Sequence, residues 1–154
     1  MDRIYILNNQ NNQELKMSYG TNNSLTKHNL WWNSFSDAES HMLRHENKNN
    51  SLKIMHNTKA TRYGNTVEVM LHWTNIYQIE KRHDKGNEFP HSVITLNSGG
   101  YRTVTTKDRI NRFLPSEFRL IQRNWDWIIQ QKEDGIFRDR ELFYDGIQIR
   151  LPIA

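Results

Sequence analysis

The chain has 154 residues, of which 36% are apolar, and 21 Lys/Arg against 17 Asp/Glu give a formal charge of +4. That length fits one domain with a small core, so the five Trp, six Phe and six Tyr must supply much of the buried area. With no cysteine, disulfides and thiolate metal sites are excluded. No run approaches the roughly 18 apolar residues of a membrane span, and the stretch Ile4-Tyr5-Ile6-Leu7 is too short for a secretory signal core.

The first 57 residues hold 12 of the 18 asparagines, in tracts such as Asn8-Asn9-Gln10-Asn11-Asn12 and Asn47-Lys48-Asn49-Asn50. Such tracts bury little apolar surface and read as loops. The expected division is therefore residues 1–57, a polar N-terminal region with one short helix, and residues 58–154, an α+β core domain. In the first region Ser36, with Glu39 three residues on, forms a capping-box pattern that starts a helix through about His45. Trp31, Trp32 and Phe35 would anchor its entrance.

From about Ala60 the pattern becomes β-like. The run from Thr66 to Ile79 is rich in branched and aromatic residues and reads as one bent strand or two. The charged stretch Lys81 to Asn87 contains Gly86-Asn87, which suits a hairpin, with Ser92 to Leu96 as the returning strand. Gly99-Gly100 then turns the chain, and Thr105 with Asp108 predicts the capped start of a second helix. Ile110, Phe113 and Leu114 fall on one face of it, and Pro115 ends it. Phe118 to Arg123 and Trp125 to Gln130 read as a hairpin pair, with Trp125 and Trp127 sharing a face. Glu141 to Tyr144 and Ile147 to Leu151 read as a second, joined across Asp145-Gly146. Helices segregated from a mainly antiparallel sheet predict a single α+β domain with two short helices and an Asn-rich N-terminal extension.

The runs His72-Trp73-Thr74-Asn75-Ile76, Thr95 through Asn111 and Phe118 through Trp127 resemble a family of small accessory proteins of tailed bacteriophages. That family pairs a short His-x-Thr strand with an L-N-S-G-G-[WY]-x-T-x-T-T-K-x-R-[IM]-N block and an aromatic hairpin. The similarity runs roughly from Val67 to Ile149. It implies a phage accessory protein acting in the host bacterial cytoplasm; it does not by itself imply an enzyme.

The charge imbalance lies in the same region. Between Tyr101 and Arg123, six Lys/Arg face only Asp108 and Glu117, so this segment alone carries the net +4 of the whole chain. The expectation is a basic strand-turn-helix surface that binds a nucleic-acid phosphate backbone. The helix N-terminus, the Gly99 and Gly100 amides and the Thr103, Thr105 and Thr106 hydroxyls would cradle phosphates. Arg102, Lys107, Arg109 and Arg112 would add phosphate contacts, and Trp125 would stack on bases. An alternative partner is a host defence or metabolic enzyme, inhibited through the same aromatic and basic groups. A third reading is a small hydrolase or nuclease in which His72 and Thr74, sharing a strand face, work with Lys107 or Arg109. His41 and His45 have the i, i+4 spacing of zinc ligands, but the glutamate of a zinc-protease motif is absent and Arg44 opposes a dication, so they read as solvated. No metal or other cofactor is expected.

Overall fold

The computed structural model describes residues 29–83, 86 and 89–154. The asparagine tract at residues 8–12, and the residues around Gly86 in the expected Gly86-Asn87 turn (Asp84, Lys85, Asn87 and Glu88), lie outside the described residues. Helix α1 (Phe35–His45) precedes five antiparallel strands: β1 (Ser51–Met55), β2 (Thr58–Tyr63), β3 (Thr66–Leu71), β4 (Thr74–Arg82) and β5 (His91–Leu96). Helix α2 (Val104–Phe113) follows, then β6 (Phe118–Arg123), β7 (Asp126–Glu133), β8 (Ile136–Leu142) and β9 (Ile147–Leu151). The strands form one sheet of order β1-β2-β3-β4-β5-β9 and a second of order β6-β7-β8. The result is a single α+β domain dominated by antiparallel sheet.

Both helices and both sheets feed one core. Its centre is aromatic: Trp32 packs on Phe113 at 5.0 Å between ring centroids and on Tyr77 at 5.9 Å, and Tyr77 meets Phe113 at 5.7 Å. These tilted contacts join the segment before α1, strand β4 and helix α2. The same segment closes the C-terminal end of α2, because the Leu30 and Trp31 amides donate to Arg112 O and the Trp32 amide to Phe113 O. Carbonyls that a helix end leaves open are thereby satisfied.

Several local expectations are corrected. Helix α1 starts two residues early, with Ser34 rather than Ser36 as N-cap: the Ser34 hydroxyl accepts from the Asp37 amide, and the Asp37 carboxylate accepts from the Asn33 amide. The cap of α2 is Thr103, whose hydroxyl accepts from the Thr106 amide at 3.1 Å; Thr105 lies inside the first turn. Residues 66–79 make two strands, and His72-Trp73 is the turn between them, so His72 and Thr74 do not share a strand face. The final hairpin does not exist. β9 pairs with β5 and β8 with β7, and Asp145-Gly146 carries the chain from the small sheet to the large one. The Gly146 amide donates to Leu96 O and the Ile147 amide to Tyr144 O. The turn chemistry was legible, but the partner was chosen by burial of Ile147, Ile149 and Leu151 against the large sheet.

Helix α2 is also tied to the small sheet by one side chain. The Asn111 amide nitrogen donates to Leu120 O at 2.9 Å, and its oxygen accepts from the Leu120 amide at 2.7 Å. Asn111 thus occupies both backbone groups of Leu120 on β6, an outer strand of its sheet.

Candidate functional site

A cleft of about 530 Å³ opens where the β3–β4 turn, the 97–101 loop and the N-terminal turn of α2 converge. Trp73 and Tyr101 rim it, 93% and 65% exposed. Leu71 and Ile76 supply its apolar lining, and Thr103, Thr105 and Thr106 reach it from α2. A second groove, about 440 Å³, shares His72 and Trp73 with the first and is bordered by Lys53, His56 and Lys59. Trp73 therefore stands between the two.

The loop side of the cleft is rigidly wired. The Gly99 amide donates to Asn97 Oδ1 and the Gly100 amide to Ser98 Oγ. The Ser98 amide and hydroxyl both donate to Asp145 Oδ1 at 2.7 Å. Burial opposes ionisation of Asp145, yet the two Ser98 bonds, helped by the Arg102 charge and the Gly100 amide, hold its carboxyl below the usual range. Gly99 has φ +64 and sits so close to β4 that a Cβ there would lie 2.7 Å from Thr74 Cγ2. With both glycine amides already spent inside the turn, they form no phosphate cradle, contrary to the expectation from sequence.

The opposite wall is strained. His72 adopts φ +55, a left-handed conformation costly for a residue with a Cβ. This bend throws Trp73 outward. The His72 amide donates to Asn57 O, but its imidazole has no hydrogen-bond or ion-pair partner among the described residues, so no group there orients it as a general base.

The six basic residues of the 101–123 segment do not share one outward surface. Arg102 lies 4.8 Å over the Phe143 ring and 5.3 Å from the Trp127 ring centroid. Arg109 pairs with Asp108 at 2.7 Å and donates to Thr58 Oγ1, and Arg112 meets the same Asp108 oxygen at 3.1 Å. Arg119 donates to Gln130 and covers Phe137 at 4.0 Å, while Arg123 makes two bonds to Asp139. Lys107, half-buried on α2, forms no ion pair with a described residue. Of the residues expected to form the site, Thr103, Thr105 and Thr106 line the cleft. Trp125 sits apart at the tip of the β6–β7 hairpin, 89% exposed, while Trp127 is buried against Phe143; the two do not share a face.

Sequence reasoning missed the lysines. Lys53 and Lys59 are directly opposed across β1 and β2, and both are exposed. Like charges in that arrangement cost stability, and neither forms an ion pair with a described residue. The signal was present, since the two positions stand three residues either side of His56 in a hairpin whose turn residue, Asn57, has φ +56.

Among the described residues no group of three His, Cys, Asp or Glu is placed to hold a metal. His41 is not solvated as expected. It is buried, packs on Trp32 at 5.9 Å and on His45 at 5.0 Å, and neither ring nitrogen has a partner. Burial first, then the charges of His45 and Arg44, lower its pKa to about 4.

Fold and cleft together define a small α+β domain with an aromatic-rimmed surface site. The chain belongs to the Kyanoviridae Gp96 protein family, a cyanophage family whose model matches residues 35–150 and so takes in both helices and eight strands, with β9 covered to Arg150. No curated protein and no solved structure matches the chain. No helix among the described residues is long and apolar enough to cross a membrane.

Proposed function

We propose that this phage accessory protein binds single-stranded nucleic acid in the host bacterial cytoplasm, along the surface that runs from the Lys53/Lys59 groove past Trp73 to the cleft. One observation carries the reading: two unpaired lysines face each other beside an almost fully exposed indole. An anionic backbone laid between Lys53 and Lys59 removes their mutual repulsion. A base stacked on Trp73 covers apolar surface that otherwise remains in water. Lys107 adds charge from α2, and the Thr103, Thr105 and Thr106 hydroxyls bound the far side. Arg102, Arg109 and Arg112, held by aromatic rings or by Asp108, contribute to the local potential more than to direct phosphate contact.

The test is fluorescence anisotropy of a labelled oligothymidylate. A Kd of about 10⁻⁴–10⁻⁶ M, weakening steeply between about 50 and 200 mM salt, is expected. Absence of binding, or binding indifferent to salt, overturns the reading.

A second reading, capture of a host protein, draws support from Trp125. This bulky residue holds φ +74 at an exposed hairpin tip, and such aromatic side chains favour protein hot spots. A single host protein retained in stoichiometric amount through nuclease treatment, and lost with Trp125→Ala, would select it.

A further inference from the structure

We propose that the cleft beyond Trp73 receives one unstacked nucleobase, while the sugar-phosphate chain stays outside in the lysine groove. This deepens the nucleic-acid reading above and rests on it. The division of labour follows from what lines each cavity. No carboxylate, lysine or arginine lines the cleft; its wall is aromatic and aliphatic surface interrupted by hydroxyls and by His72. A charged group entering it would lose water without gaining a permanent counter-charge. A neutral planar ring suffers no such penalty and finds Trp73 and Tyr101 at the entrance and Leu71 and Ile76 within.

The polar atoms left over match a base edge. The Ser98, Thr103 and Thr106 hydroxyls are spent on one another, on Asp145 and on the helix cap. Those of Thr74 and Thr105 have no partner among the described residues. A hydroxyl donates or accepts as required, so such a pair accommodates different bases without strict selection. The volume lies within the about 300–1,000 Å³ typical of small-molecule sites. Lys53 and Lys59 line the neighbouring groove, across Trp73.

The shape is fixed by Gly99. Any side chain there meets Thr74, so the loop must move away from β4 and the cleft must change form.

Uncharged thymidine and adenosine, titrated into the ¹⁵N-labelled full-length protein, separate the two halves of the proposal. Amide shifts should concentrate at residues 72–76 and 98–106 and should be insensitive to salt, because no phosphate is involved. Thr105→Val should weaken nucleoside binding while keeping the wild-type spectrum elsewhere, and Gly99→Ala should abolish it. An oligothymidylate carrying abasic sites should bind about tenfold more weakly than the intact one. If nucleosides shift nothing while the oligothymidylate still binds with its salt dependence, the base-binding cleft is wrong and the lysine groove stands. If nucleosides bind but no oligonucleotide does, the nucleic-acid reading falls. If Thr105→Val and Gly99→Ala both bind nucleosides like wild type, the cleft is not where the base goes.

Discussion

Two hairpins in this protein end in a tryptophan held out into water, and they differ in what surrounds it. At the β3–β4 turn, Trp73 follows a left-handed His72 and stands between a hydroxyl-lined cleft and two opposed lysines. At the β6–β7 turn, Asn124 and Trp125 both have positive φ, but the neighbouring Arg123 is neutralised by Asp139, with Gln130 adding a third bond. Exposure alone therefore does not distinguish a ligand site. What distinguishes the first turn is a cavity on one side and uncompensated charge on the other; the second offers an indole on an electrostatically satisfied sheet.

The largest expected effect separates the indoles directly. Trp73→Ala should cost about 1–3 kcal/mol of oligonucleotide affinity, whereas Trp125→Ala should leave it unchanged, both read by anisotropy. Equal losses would erase the distinction. Charge comes next. Lys53→Glu should lower the slope of log affinity against log salt by about one, and it should stabilise the fold by about 0.2–1 kcal/mol because it turns a repulsive cross-strand pair into an attractive one. Arg123→Ala, in contrast, should leave affinity intact, since that guanidinium is already committed.

Backbone strain sharpens the comparison further. Glycine at either left-handed position should raise stability by about 1 kcal/mol in urea denaturation. His72→Gly should do so while weakening nucleic-acid binding, because the turn that presents Trp73 loosens; Trp125→Gly, which creates a favoured Asn-Gly hairpin turn, should carry no such penalty. The smallest difference is in acid. His41, packed against the large-sheet core, has a folded pKa near 4 against an ordinary 6.5. The unfolded chain takes up the proton first, so stability should decline as pH falls from 6.5 towards 4. Asp139 on the small sheet is held below its ordinary 3.8 by Arg123 and Gln130, so its contribution should fade only below that value. Denaturation midpoints against pH should show the upper step flattened in His41→Phe and retained in Asp139→Asn.

How much of this was readable in the sequence differs by element. Helix α2 was legible because Ile110, Phe113 and Leu114 repeat at helical spacing and Pro115 stops the chain; only its cap was misplaced, since Thr103, Thr105 and Thr106 each have the required hydroxyl. The α+β class was legible for the same reason, as β-branched runs and capped helices occupy separate stretches. Strands β1 and β2 were not. Their Ser, Lys and Thr content, with Asn49, Asn50 and Asn57 beside them, resembles a loop, and only the pairing of β1 with β2 and of β2 with β3 reveals that Ile54 and Ala60 point inward. The strand-turn-helix pattern singled out Thr103, Thr105 and Thr106, which line the cleft. The fate of the arginines was hidden, because Arg123 on β6 meets Asp139 on β8 across the intervening strand β7, between residues 16 apart in sequence. Trp73 was hidden as well: apolar alternation continues straight through the turn that exposes it.

Asn111 has a consequence for behaviour in a crowded cell. By closing both backbone groups of Leu120, its amide plays the part of a missing neighbour strand. Without that plug, β6 would offer an open ladder on which a second molecule could build. A shortened polar side chain there should therefore reveal itself less as lost activity than as concentration-dependent clumping.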